Sequence, residues 1–330
     1  MGTSETRHAV TLIPGDWIGP ETCDVARDVV AALGVQIDWE VMKVSGDLLN
    51  PELLESAHRT GVVLKAKVGA LTELGHMPAT VRLRQELKTW ATVRAVRSLP
   101  GGPAVYPGTD LVVVRETSED IYSGMEHEIT DGVYEAVKVT TKAACERIAR
   151  FAYDYAREHG RKSVHIVHKS NIMKKSDGLF LKTAQAVAAE YPEIETHEVI
   201  VDALCMRLVR NPHQFDVLLC GNLFGDIVSD LAAGLAGGIL CGASASYGDG
   251  VAVFENPHGK APDLVGQDRA NPIPMLRATK HMLRHLGEHD AAARLIAAIE
   301  GAVADGVHTG DMGGTARCSD VRQAVLDRLA

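Results

Sequence analysis

Short runs of β-branched and aliphatic residues alternate with helical patterns along most of the chain, and that alternation limits the fold more than any other feature. "DLVVVRE", "SVHIVHK", "THEVIV" and "FDVLLCG" are such runs, with "TKAACERIARFAYDYAREHG" and "DGLFLKTAQAVAAEY" as helical segments between them. Apolar runs without polar alternation suit strands covered on both faces, so the pattern predicts an α/β protein. "HAVTLIPGDWIGPE" adds a strand, a Gly/Pro turn and a helix that starts near Pro20 and stops at Gly34. Toward the end, residues 272–306 predict two amphipathic helices and "SDVRQAVLDRLA" a last one. The "RSLPGGPAVYPG" loop and the Gly-rich "LAAGLAGGILCGASASYGDG" divide the chain, giving residues 1–98 plus 237–330 as a large domain and 99–236 as a small one.

Composition narrows the class. The chain has 330 residues, enough for one large domain or two intertwined ones, with 46% apolar and 23% charged residues. No apolar run is long enough to span a bilayer, and "MGTSETRHAV" is no signal peptide, so a cytoplasmic protein without membrane contact is expected. Six scattered cysteines without a CxxC pair read as reduced thiols. A net charge of −9 argues against a nucleic-acid partner. It leaves room for local cationic pockets, and "GHMPATVRLR" (75–84) with Arg94 beyond it concentrates cations in one stretch.

The chemistry-bearing motifs sit just past apolar runs, where α/β folds collect their sites. In "NLFGDIVSDLAAGLAGG", Asp226 and Asp230 are spaced i, i+4 and share a helix face. Two hard oxygens one turn apart suit Mg²⁺ or Mn²⁺; acids near a helix start also complement its dipole, and the pair alone supports either reading. A third acid, Asp202, opens a helix after another strand. Arg115, Tyr122 and Lys169 supply a cation for carboxylates, a phenol for proton donation and an amine for proton relay. Residues 250–272 read as a loop, with Asp263 placed to accept from a ribose diol and to repel a 2′-phosphate, favouring NAD. No GxGxxG follows any strand, so no classical dinucleotide fingerprint is present.

With these motifs in order, the sequence resembles the isocitrate/isopropylmalate dehydrogenase family of NAD-dependent β-decarboxylating dehydrogenases, and most the NAD-isocitrate branch. The likeness runs from "LIPGDWIGPE" to "GGTARCSD" and includes "VVVRETSEDIYSGMEHE", "HKSNIMKKSDGLFL" and "FENPHGKAPDLVGQDRANP". It implies two open α/β domains with a cleft between them, and a homodimer whose active sites are shared between subunits. It implies that Asp202, Asp226 and Asp230 bind the metal, with Asp202 and Lys169 reaching in from the partner. Arg84, Arg94 and Arg115 would hold the malate-like carboxylates, and Tyr122 and Lys169 form the catalytic pair. Thr72, His258, Gly259, Lys260, Ala261, Pro262, Asp263 and Asn271 fall on cofactor-binding positions.

The family's pattern breaks where it reads the group on C3 of the substrate. A Ser-x-Asn-x-x-Leu-Arg pattern there becomes Pro78-Ala79-Thr80-Val81-Arg82-Leu83-Arg84, and Lys260 replaces the usual Ser or Thr. Losing hydrogen-bond donors that a third carboxylate needs costs about 1–3 kcal/mol each. Thr80, Arg82 and Lys260 are polar or cationic, unlike an isopropylmalate pocket. The expectation is therefore a bulkier anionic substituent, as in 3-(phosphonomethyl)malate from phosphonate biosynthesis, with isocitrate or homoisocitrate as the rival. A non-catalytic regulatory subunit of an NAD-isocitrate dehydrogenase is the third reading; it gives no reason to keep every catalytic group.

Overall fold

The structure is a computed structural model that describes residues 6–44, 50–69, 79–256 and 259–330. The chain forms two compact units: residues 1–88, 98–107 and 236–330, and residues 89–97 and 108–235.

The first unit contains β1 (Arg7–Ile13), α1 (Gly19–Ala32), β2 (Gln36–Val41), α2 (Pro51–Thr60), β3 (Val62–Lys65) and α3 (Ala79–Glu86). The second unit contributes β4 (Thr89–Arg97), β5 (Asp110–Glu116), β6 (Glu126–Thr130), β7 (Val133–Ala136), α4 (Lys142–Glu158), β8 (Ser163–His168), α5 (Ser176–Ala188), β9 (Glu195–Ile200), α6 (Val201–Arg210), β10 (Val217–Cys220) and α7 (Asn222–Ala236). The chain then returns to the first unit with β11 (Gly242–Gly248), β12 (Val251–Glu255), α8 (Ile273–His285), α9 (His289–Ala304) and α10 (Cys318–Leu329).

In the first unit the strands run β2-β1-β3-β12-β11, parallel except that β11 is antiparallel to β12. All four side chains of β3 are buried, as a strand covered on both faces requires. Asn50 caps α2 by accepting from the Leu53 N–H at 2.7 Å, and Gly61 ends it at φ +65°, where a side chain would strain the backbone. Ile13, Leu53, Ala57, Val63, Leu83, Leu87 and Val253 form a shared core between the sheet, α2 and α3.

In the second unit the order is β4-β5-β10-β8-β9, with β4 antiparallel to β5 and the others parallel. β6 and β7 form a separate hairpin whose residues are all exposed. Among the described residues, no helix is long and apolar enough to cross a membrane. All six cysteines are free, and burial pushes the Cys23 and Cys145 thiols up to about 12.

Two expectations need correction. Residues 89–97 belong to the second unit, because β4 pairs with β5 from Ala91–Glu116 to Arg97–Asp110; residues 98–107 stay with the first. Residues 250–272 do not form one loop: "VAVFE" is the fully buried β12, paired parallel to β3. Its five apolar-rich residues are too few to show periodicity beside so many turn formers.

β8 and β9 place His165 directly opposite His197, with ring centroids 4.6 Å apart and Phe215 edge-on to His165 at 4.9 Å. His165 Nδ1 is buried without a partner. Burial first, and the neighbouring His197 second, lower the His165 pKa from 6.5 to about 4. Between those values the unfolded chain holds the extra proton, so this contribution to stability is complete above 6.5 and declines as pH falls toward 4. Urea midpoints at pH 7 and pH 5 are expected to converge in His165→Phe; an undiminished acid loss would contradict the assignment.

Candidate functional site

Arg115 is the penultimate residue of β5, and β10 places Cys220 beside it in register. The chain then turns through Gly221 into α7, so the first turn of that helix rises next to the guanidinium. Arg115 Nε and Nη2 donate to Asn222 Oδ1 at 3.0 and 2.7 Å, and Nη1 pairs with Asp226. Asn222 Nδ2 in turn donates to the Glu119 carbonyl at 2.8 Å. Tyr122 Oη donates to Asp226 Oδ2 at 2.6 Å, and the Arg115 guanidinium carbon lies 5.1 Å from the Tyr122 ring centroid. Burial foremost, then the bond to Asp226 and its charge, raise the Tyr122 pKa above its ordinary 10. The phenol is therefore a proton donor at neutral pH.

One turn along α7, Asp230 pairs with Arg94 of β4. The Asp226 and Asp230 side chains are 43% and 78% exposed, so both carboxylates, although each is ion-paired, face solution. A second group lies elsewhere in the same unit. Lys169, just past β8, donates to Asp202 in the first turn of α6. That bond, more than anything else, lowers the Asp202 pKa. Among the described residues of one chain, Asp202, Asp226 and Asp230 do not gather into a three-ligand cluster; Glu21, Asp268 and Cys318 form the one group within 4.8 Å.

Two predicted residues of the first unit, Thr80 and Arg84, join another network. Lys65, 2% exposed at the end of β3, donates to Glu255 Oε2 at 2.7 Å and to Thr80 Oγ1 at 3.3 Å. Arg84, one helical turn beyond Thr80, pairs with the other Glu255 oxygen. Lys65 and Arg84 hold the Glu255 carboxyl far below the usual range although burial opposes this. Arg82 is half-buried on α3.

In the cofactor segment, Lys260 Nζ lies 5.4 Å from the Trp17 ring centroid. Gly259, Pro262 and Asp263 are exposed, Ala261 has φ +44°, and residues Pro262–Leu264 form a short 3₁₀ turn. Asn271 is engaged at both ends, donating to Asp311 at 2.9 Å and accepting from the Ile273 N–H at 2.9 Å. Thr72 and His258 lie outside the described residues.

Lys65, Glu255, Asn222 and Gly225 were not singled out by the sequence. Lys65 and Glu255 close apolar strands, which is the one available signal. The role of Gly225 is purely spatial: a Cβ there would meet Arg115 Cγ at 2.6 Å and Cβ at 2.8 Å. Gly225→Ala is expected to push the guanidinium off Asn222 and Asp226 and to destabilise by about 1–3 kcal/mol. Gly234 of the same helix has open space where a methyl group would stand, so Gly234→Ala should instead stabilise by roughly 0.5–1 kcal/mol. Denaturant unfolding of the two variants checks the contrast; equal effects would refute it.

Residues 9–325 match the family model for isocitrate/isopropylmalate dehydrogenase. The chain is 43% identical to isocitrate dehydrogenase [NAD] catalytic subunit 5, mitochondrial, of Arabidopsis thaliana, over 99% of this chain and 90% of that protein. It is 44% identical to the chloroplastic 3-isopropylmalate dehydrogenase of Solanum tuberosum, over 90% of this chain and 85% of that one. Its fold matches the crystal structure of isocitrate dehydrogenase from Methylococcus capsulatus with a TM-score of 0.91 at 40% identity, covering 98% and 99% of the two chains. The chain therefore belongs to the isocitrate/isopropylmalate dehydrogenase family and is a decarboxylating dehydrogenase acting on a CH–OH group.

Proposed function

We propose that the protein catalyses NAD-dependent oxidative decarboxylation of an isocitrate-type acid, a malate whose C3 arm carries a third carboxylate. Near-equal identity to an isocitrate and an isopropylmalate enzyme leaves the substrate to local chemistry. The observation that carries the choice is the polar network on α3: Thr80 and Arg84 are tied to buried Lys65 and Glu255. An isopropyl group would lay apolar surface against these polar groups, whereas a carboxylate can accept from the Thr80 hydroxyl, whose oxygen already accepts from Lys65. The preference for 3-(phosphonomethyl)malate rested on Arg82 and Lys260 as added cations. Trp17 supplies a seat for the Lys260 ammonium within the chain, which removes one of those two arguments. Isocitrate and homoisocitrate therefore stand ahead of the phosphonate.

Asp226 and Asp230, with Asp202 from a second copy of the chain, are the residues that would hold Mg²⁺ or Mn²⁺; an all-carboxylate donor set one helical turn apart fits a hard cation. When bound, the cation supplies Lewis acidity to the substrate hydroxyl and carboxylate oxygens, and NAD supplies the acceptor for the C2 hydrogen. Arg84, Arg94 and Arg115 hold the carboxylates through their N–H donors. Lys169, once it has left Asp202 and released a proton to water, takes the C2 hydroxyl proton as the neutral amine. After oxidation at C2 and departure of carbon dioxide from C3, Tyr122 Oη delivers a proton to C3; its raised pKa keeps that proton in place. A regulatory subunit would have no use for the Arg115–Asn222–Asp226–Tyr122 arrangement. The six free cysteines suit a reducing compartment such as the cytoplasm.

The same reading makes the enzyme a homodimer. Lys169 and Asp202 are paired with each other, away from the Tyr122–Asp226 group. The helices that carry the two aspartates also expose Met206, Val209 and Ile227, and the β6–β7 hairpin exposes Ile129, Val133 and Tyr134. Such apolar surface on one unit is what a second copy would cover.

Purified protein assayed with NAD and Mg²⁺ should turn over isocitrate or homoisocitrate faster than 3-isopropylmalate or 3-(phosphonomethyl)malate; the reverse order would sink the substrate assignment. Tyr122→Phe and Lys169→Met should each be nearly inactive alone. Mixed and reassembled, they should recover about a quarter of wild-type activity, since half the dimers then contain one intact site of two. No recovery in verified mixed dimers would place both groups of a site on one chain.

A further inference from the structure

Among the described residues, three buried side-chain polar atoms without a hydrogen-bond partner lie at one end of the β11–β12 ladder: Ser244 Oγ, opposite Glu255, and both Oδ1 and Nδ2 of Asn256. The serine hydroxyl can rotate. Asn256 is different, because the residue is 3% exposed and its carboxamide has neither donor nor acceptor satisfied. A folded protein loses the hydration of both groups and gains nothing for it. Asn before a proline often bonds nearby backbone to make a turn, but this side chain makes no such bond, so turn chemistry does not account for it. Nor does the neighbouring ion network, since Glu255 is engaged by Lys65 and Arg84.

Asn256 stands two residues before the segment 258–271 that the sequence resemblance assigns to the cofactor. A primary amide presents one donor and one acceptor side by side. The group that satisfies both at once carries the complementary pair, as do the nicotinamide carboxamide and the N6–H/N7 edge of adenine. We propose that Asn256 is a cofactor-recognition residue whose carboxamide forms a two-hydrogen-bond pair with one of these edges of the dinucleotide. The inference rests on the reading of NAD as cofactor and adds a residue outside the cofactor positions named above. It also gives the orphaned amide a reason: apoprotein stability is lower so that binding can satisfy both groups together.

Asn256→Leu keeps the branched shape at a somewhat larger volume and removes both polar atoms. The apoprotein variant should melt about 2 °C or more above wild type. Its dissociation constant for NAD, measured by calorimetry without substrate, should rise roughly 5- to 50-fold. Two analogues identify the edge. Nicotinamide hypoxanthine dinucleotide lacks the adenine amino donor, and 3-acetylpyridine adenine dinucleotide lacks the carboxamide N–H₂. Wild type should bind one of them at least fivefold more weakly than NAD, Asn256→Leu should not distinguish that analogue from NAD, and Ser244→Ala should discriminate as wild type does.

A less stable variant with unchanged NAD affinity would overturn the proposal by showing an amide held structurally through ordered water. Equal binding of NAD and both analogues by wild type would overturn it as well. Asn256→Ala, read in the same way, serves if the leucine variant does not fold. A wild-type protein that binds no dinucleotide defeats the cofactor reading itself and this inference with it; wild type and variant binding NAD alike defeats this inference alone.

Discussion

The guanidinium of Arg115 is the constraint on which the second unit's chemistry depends. It is 8% exposed at a strand end, where an unpaired cation would be costly, and it is kept charged by partners on one helix. Asn222 accepts two of its N–H groups, Asp226 a third, and Gly225 leaves the gap through which its methylenes pass. Because the same Asp226 also accepts from Tyr122, the orientation of the phenol, the carboxylate and the cation is one geometric problem with one solution. Moving any member disturbs the other two.

A comparable economy governs the first unit. Two cationic side chains, Lys65 and Arg84, meet the single carboxylate of Glu255 at the ends of paired strands β3 and β12. The arrangement anchors Thr80 through the Lys65 ammonium, so α3 is fastened to the sheet by electrostatics as well as by Leu83 and Leu87.

Much of this was legible in the residues. The buried strands were visible because long β-branched runs have few other fates, and Asp226 and Asp230 because a four-residue spacing fixes a common face. Arg115, Tyr122 and Lys169 stood out as polar groups just past apolar runs. What stayed hidden depends on tertiary approach. Nothing local to "NLFGD" says that an arginine more than a hundred positions earlier packs across Gly225, or that Asn222 receives it. β12 was hidden because Gly, Pro and Asn crowd its end, and β4 because its pairing with β5, not its own composition, decides which unit it joins.

The β6–β7 ribbon buries none of its own side chains against the rest of the chain. An isolated two-stranded ribbon is marginal in water, so its register is specified only weakly by the molecule that carries it. A side-chain change on this ribbon therefore removes no packing from either core, so its sequence is free of the volume constraint that governs the buried strands.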